Sequence, residues 1–216
     1  MSCRIKNIIF DLDGTLINSS RGVQESIEYA VQKILPDLPM LDFSSYIGPP
    51  IKKILANALG HLEEVQLHKI ADEFRDVFDS ELCLKCVIYP GVPETLHELT
   101  AHGIAIYLAT NKPRRATEKV LSHLGLDKHF RVIKTPDSAT AQGVPKNEMV
   151  RELIEYELLN PKETMMVGDT MEDWEAARAS MIEFAACVYG YGIKEEAVNN
   201  DCLILKKIGD LSGLIL

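Results

Sequence analysis

Two aspartates one residue apart, Asp11 and Asp13, follow the apolar run Ile8, Ile9, Phe10 and precede Gly14 and Thr15. Side chains alternate along a strand, so acids at i and i+2 leave its end on the same side. Carboxylates that close repel each other unless a shared proton or a cation compensates, which points to a hard divalent metal such as Mg2+. Gly14 permits a sharp turn behind the second acid, and Thr15 places a hydroxyl beside it. Taken alone, the same residues also read as an ordinary polar cap on a strand. Two later segments repeat the design. Residues 104–109 end in Thr110, Asn111 and Lys112, and residues 164–167 end in Gly168, Asp169 and Thr170, with Asp173 four residues beyond Asp169. Lys146 opens a helical pattern between them. Singly, Thr110 reads as a helix N-cap, Lys146 as a solvated lysine, and Asp169 with Asp173 as a cap and a first-turn acid. Their joint occurrence in this order favours one shared site.

The elements that must carry these residues alternate along the chain. After the first strand, strands are expected over 104–109, 131–134, 164–167 and 184–188, with helices over 93–102, 115–124, 146–156 and 174–180. Such alternation predicts an α/β fold, a Rossmann-like three-layer core with a central parallel sheet covered on both faces. Open sheets of this kind bind ligands beyond the carboxyl ends of their strands, so Asp11, Asp13, Thr110 and Asp169 converge although about 160 residues of chain separate them. Lys146 would bring a positive charge to the same crevice.

Residues 18–84 keep a different rhythm. Val23, Ile27, Ala30, Val31 and Ile34 recur at helical spacing until Pro36 and Pro39 stop them. A second helix is expected from Pro50, with Ile51, Ile54, Leu55, Ala58 and Leu59, and a third carries Leu67, Ile70, Ala71, Phe74, Val77 and Phe78. The expected organisation is therefore an α/β core of residues 1–17 and 85–216, interrupted by an all-helical domain of residues 18–84.

Composition narrows the class. With 46% hydrophobic and 25% charged residues and no low-complexity tract, the chain is that of an ordinary globular protein. A formal charge of −9 argues against nucleic-acid partners, whose recognition rests on clustered Lys and Arg. No stretch approaches the roughly 20 apolar residues of a membrane span, and the apolar run near the start is too short for a signal peptide. A cytoplasmic protein, monomer or homodimer, is expected. Five scattered cysteines fit reduced thiols, and the lone CxxC of Cys83 and Cys86 has neither a second CxxC nor a nearby His pair to make it a zinc site.

DLDGT at 11–15, TNK at 110–112, the lysine at a helix start and GDTMED at 168–173, in this order, resemble the four motifs of the haloacid dehalogenase superfamily. The likeness is to its phosphatases with a small helical cap inserted after the first motif, and it covers essentially the whole chain. It departs from them at Val144-Pro145-Lys146-Asn147-Glu148, where KPxP is usual, and at Ser180-Met181, where Ala-Gly is usual. The resemblance implies a Mg2+-dependent hydrolysis of small phosphomonoesters. Asp11 would attack phosphorus and form an aspartyl-phosphate, and Asp13 would carry protons to the leaving group and from water. The metal would be held by Asp11, by the backbone carbonyl of Asp13 and by Asp169. Thr110, Asn111 and Lys146 would bind the phosphoryl group, and Asp173 would orient Lys146 or a metal-bound water.

Within the superfamily, an aspartate at position 13 fits phosphoryl transfer, and Thr15 resembles the phosphatases more than the sugar phosphomutases. Substrate choice is expected from the helical insert. Gly48, Pro49 and Pro50 lead into a helix with Lys52 and Lys53 in its first turn, an arrangement that resembles phosphoglycolate phosphatases and suits a substrate carboxylate. Arg21 and Arg114 are further basic candidates. The alternatives are a sugar phosphomutase of the beta-phosphoglucomutase type and a non-catalytic binding protein of the same fold.

Overall fold

An apolar run without polar alternation needs cover on both faces. Strand β1 (Asn7–Phe10) is such a run, and its Ile8, Ile9 and Phe10 are fully buried. The computed structural model describes residues 5–39, 41–43, 47, 51–138, 143–195 and 202–216. The chain forms two compact units, Met1–Asn18 with Ile88–Leu216 and Ser19–Val87.

In the first unit β1 lies in a six-stranded parallel sheet with β4 (Ala105–Ala109), β5 (Val132–Lys134), β6 (Thr164–Gly168), β7 (Glu183–Cys187) and β8 (Leu203–Leu205), in the order β5-β4-β1-β6-β7-β8. A short ribbon of β2 (Ile17–Asn18) and β3 (Val87–Ile88) stands beside it where the chain leaves this unit and returns. The helices are α4 (Val92–Ala101), α5 (Arg114–Leu124), α6 (Lys146–Tyr156), α7 (Met171–Ala179) and α8 (Asp210–Ile215). Ile9, Tyr107, Met166 and Phe184 share one core cluster with Val150 and Leu153 of α6 and Ala176 and Ala177 of α7. The strand order runs outward from β1 through β4 to β5, then returns to β6 on its other side. With right-handed crossovers this reversal puts the two sets of helices on opposite faces and opens a crevice between β1 and β6.

Register decides what enters that crevice. Phe10 pairs with Leu108 and with Val167, so Asp11, Ala109 and Gly168 stand level, and the polar residues that follow emerge along one edge. The expected strands and helices of this unit are all present, with bounds shifted by a few residues. Helix α7 starts at Met171 rather than at 174 because Thr170 and Asp173 form a capping box there. Edge strand β8 and helix α8 are additions, too short for periodicity to reveal.

The second unit holds α1 (Ser20–Ile34), α2 (Ile51–Leu59) and α3 (Glu64–Ser80), and its described residues form no sheet of their own. Ile27, Ala30 and Val31 of α1 and Ile70, Ala71 and Phe74 of α3 are buried, the helical spacing that sequence periodicity predicts. A capping box starts α3, with the Glu63 amide donating to Gln66 at 3.1 Å. The predicted loop at Gly48, Pro49 and Pro50 lies outside the described residues. Cys83 is buried and Cys86 half-buried, both without a disulfide. No described helix is long and apolar enough to cross a membrane.

Candidate active site

The chain turns hard after β1. Gly14 adopts φ +88, and its amide donates to the Ile17 carbonyl at 2.8 Å. A Cβ at this position would stand 2.2 Å from Oδ2 of Asp169, so glycine is required both by the turn and by the approach of that carboxylate. Across the crevice, Gly190 fits for the same reason: its Cβ would lie 2.3 Å from the Asp169 Cβ and 2.5 Å from the Gly14 carbonyl oxygen.

Asp169 is fully buried and held from several sides. Thr15 Oγ1 donates to its Oδ1 at 3.2 Å, the Tyr191 amide to its Oδ2 at 2.8 Å, and the Ile193 amide to its carbonyl at 2.6 Å. Tyr189 adds a hydrogen bond from its hydroxyl to the Thr15 carbonyl at 2.7 Å. Asp11 is 4% exposed and accepts from Lys146 Nζ through Oδ1 at 2.6 Å. Its other oxygen takes no protein hydrogen bond among the described residues. The same ammonium reaches Oδ1 of Asp173 at 2.7 Å. Asp173 meanwhile caps α7, accepting at Oδ2 from the Thr170 amide at 2.9 Å and the Thr170 hydroxyl at 2.6 Å. Asp173 thus lies in the first turn of α7, where one oxygen closes the capping box with Thr170 and the other bonds Lys146.

Asp13 lies apart from this trio. Both its oxygens accept from Lys112 Nζ, each at 2.9 Å. Thr110, 1% exposed, is not a helix cap, because α5 begins only at Arg114 behind Pro113; its hydroxyl instead accepts from the Lys112 amide at 3.1 Å. Asn111 is exposed and donates its amide to Glu172 at 2.8 Å, so it does not join the acid cluster. Lys52 and Lys53 are exposed in the first turn of α2, in the other unit. Arg21 and Arg114 are exposed and paired to Glu25 and Glu118 on their own helices.

The acids of this edge outnumber its bases. Asp11, Asp13, Asp169 and Asp173 face two ammonium groups, Lys112 and Lys146, which leaves a surplus of two negative charges when all four carboxyls are ionised. Burial, reinforced by Asp173, pushes the Asp169 carboxyl up to about 7 against the pull of the Tyr191 amide, Lys146 and Thr15. Burial likewise raises Asp11 well above the usual carboxylate range, with Lys146 opposing and Asp173 and Asp169 adding. Burial disfavours the Lys146 ammonium, but Asp11 and Asp173 outweigh it and hold the lysine charged. Ligand oxygens of Asp11, Asp169 and Asp173 lie within 4.8 Å of one another. An all-oxygen set with a surplus of two negative charges fits a hard divalent ion such as Mg2+.

Sequence reasoning named no role for Lys112 and passed over the segment Tyr189-Gly190-Tyr191-Gly192. The latter follows the last strand that the periodicity revealed, and its alternating glycines at a carboxyl strand end were a usable signal. Lys112 carried no comparable signal, since a lysine three residues beyond a strand end normally reaches solvent.

The family model for haloacid dehalogenase-like hydrolases matches residues 8–187. A protein of Pseudomonas aeruginosa named 5'-nucleotidase is 29% identical over 196 residues, covering 89% of this chain and 87% of its own. A phosphoglycolate phosphatase of Haemophilus influenzae is 30% identical over 200 residues, 88% of this chain and 89% of its own. A solved structure from Haemophilus somnus, described as a predicted phosphoglycolate phosphatase, superposes with a TM-score of 0.83 at 26% identity and covers 98% of both chains.

Proposed function

The chain belongs to the haloacid dehalogenase-like hydrolase family, and we propose that it hydrolyses small phosphomonoesters with Asp11 as nucleophile. The observation that carries this reading is the placement of Asp11. Its Oδ1 is anchored by Lys146 while its Oδ2 has no described protein partner, which is the arrangement a carboxylate needs to attack phosphorus with one oxygen. Asp11 displaces the alkoxide and becomes an aspartyl-phosphate; Asp13 protonates the leaving oxygen and then takes a proton from the water that hydrolyses the intermediate. Lys146, oriented by Asp173, holds Asp11 and faces the charge that builds on the transferring group, and Thr110 contributes a polar group at the same edge. A Mg2+ ion held by Asp11, Asp169 and the Asp13 carbonyl would supply charge neutralisation at the phosphoryl oxygens.

We assign the helical unit the role of a cap that selects the substrate, with Lys52 and Lys53 as its contacts for an anionic substituent. Phosphoglycolate is the first candidate, supported by the names of the Haemophilus relatives and by the paired lysines. A nucleoside monophosphate is the second, supported by the Pseudomonas aeruginosa relative. We place the activity in the cytoplasm on the strength of five cysteines scattered through the sequence without a disulfide-framework spacing.

The test is a phosphate-release screen with and without Mg2+ over phosphoglycolate, sugar phosphates, nucleotides and pyrophosphate, with Asp11→Asn as control. Mg2+-dependent release that vanishes in the variant supports the reading. Interconversion of two sugar phosphates without net phosphate release would replace it with a mutase.

A further inference from the structure

Lys112 takes no part in the reaction outlined above, yet it makes a symmetric and deeply placed ion pair. Its Nζ stands 2.9 Å from each oxygen of Asp13, and only 4% of the lysine side chain is exposed against 26% of the aspartate. A lysine ordinarily keeps its head in water, and burying an ammonium is costly unless its partner is well placed. The root of this lysine is fixed as well. The Lys112 amide donates to Thr110 Oγ1 at 3.1 Å, and Thr117 Oγ1 donates to the Lys112 carbonyl at 3.1 Å, with both threonines buried. Asp13, by contrast, sits on the turn at Gly14, with a short side chain at the edge of solvent. The rigid partner is the lysine, and the group being aimed is the carboxylate.

We propose that Lys112 is the positioning residue of Asp13, fixing the plane of its carboxylate toward the leaving oxygen; the inference rests on the reading of Asp13 as proton carrier. The two carboxylates that share one strand end are thereby served by separate lysines. Lys146 draws Asp11 toward Asp173 and α6, and Lys112 draws Asp13 toward the end of β4. The pair divides attack from proton transfer in space. Proton donation requires hydrogen-bond reach to the leaving oxygen, so losing this alignment hurts most where the leaving group needs a proton.

That dependence separates positioning from mere structural support. An alkoxide leaves only with a proton, whereas p-nitrophenolate leaves without one, and kcat/KM reports the transfer to Asp11 without the later hydrolysis common to both. The experiment measures kcat/KM with Mg2+ on glycerol 2-phosphate and on p-nitrophenyl phosphate for the wild type, Lys112→Met, Lys112→Gln and Asp13→Asn. Lys112→Met is expected to lower the value for glycerol 2-phosphate about 10²-fold, and the value for p-nitrophenyl phosphate about tenfold less severely. Adding Lys112→Met to Asp13→Asn should leave the ratio of the two substrates where Asp13→Asn alone puts it. Equal losses on both substrates, or none, overturn the proposal. Near-UV circular dichroism checks the fold, and if the methionine variant does not fold, the glutamine variant carries the same comparison. An unchanged ratio in Asp13→Asn overturns the proton-carrier reading and this inference with it. A changed ratio there, with an unchanged one in both Lys112 variants, overturns this inference alone.

Discussion

Lys146 and the pair Lys52, Lys53 hold similar positions in sequence, each within the first turn of a helix, but they live in opposite environments. Lys146 opens α6 with 5% of its surface exposed and two carboxylates within 2.7 Å. Lys52 and Lys53 open α2 in full view of solvent. A buried charge is tolerated only with partners in place, so a buried lysine declares what surrounds it, whereas a solvated one declares nothing. The same contrast runs through the whole molecule. In the α/β unit most polar groups at the strand ends, Asp11, Thr110, Lys112 and Asp169 among them, are buried and hydrogen-bonded; in the helical unit polar groups form exposed pairs such as Lys33 with Glu73. Chemistry is therefore readable from the first unit and specificity is not readable from the second.

The largest effect that would sharpen this contrast is at the nucleophile. Asp11→Asn should lower phosphate release on the order of 10⁴-fold or more while the melting temperature holds or rises, since a buried charge is removed. Activity near that of the wild type would break the contrast at its strongest point. Next in size, Lys146→Met strips Asp11 and Asp173 of their cation and should cost about 3–5 kcal/mol by denaturant unfolding, whereas Lys52→Ala should stay within about 0.5 kcal/mol. Similar losses from the two would show that burial does not set the difference.

The third prediction concerns pH. A carboxyl whose folded pKa is about 7, against 3.8 unperturbed, binds its proton more tightly folded than unfolded. Without metal, stability should then fall as pH rises from about 4 to about 7 and level off above. The Mg2+-induced rise in melting temperature should grow across the same window, and Asp169→Asn should make both trends shallower, leaving the part that belongs to Asp11. A Mg2+ shift independent of pH in the wild type would contradict the electrostatic account of the cluster.

The smallest effect lies at the end of α7. Met181 adopts φ +54 and is 82% exposed, and the Ser180 hydroxyl is buried without a hydrogen-bond partner among the described residues. The double change Ser180→Ala and Met181→Gly, which restores the pair usual in the resembling phosphatases, should stabilise by about 1 kcal/mol in thermal melts. No gain would mean that the left-handed methionine is not strained.

Much of the α/β unit was legible because its strands are apolar runs ended abruptly by acids or hydroxyls, a pattern that packing alone does not produce. The carboxyl-end rule then predicts that Asp11, Asp13, Thr110 and Asp169 share one edge. Asn111 was named from the family resemblance alone, and its bond to Glu172 in the first turn of α7 joins residues 61 apart in sequence, which periodicity does not relate. The rule was silent on Lys112 because the burial of its head depends on meeting Asp13, 99 residues away in sequence. Strand β8, with three residues, is below the length at which periodicity carries information.

The central claim is that the phosphoryl group passes through Asp11. The most direct measurement is the stereochemical course at phosphorus, using a substrate whose phosphate is made chiral with oxygen isotopes. Two in-line displacements, first by Asp11 and then by water, predict net retention. Net inversion would mean that water attacks the substrate directly and would contradict the account.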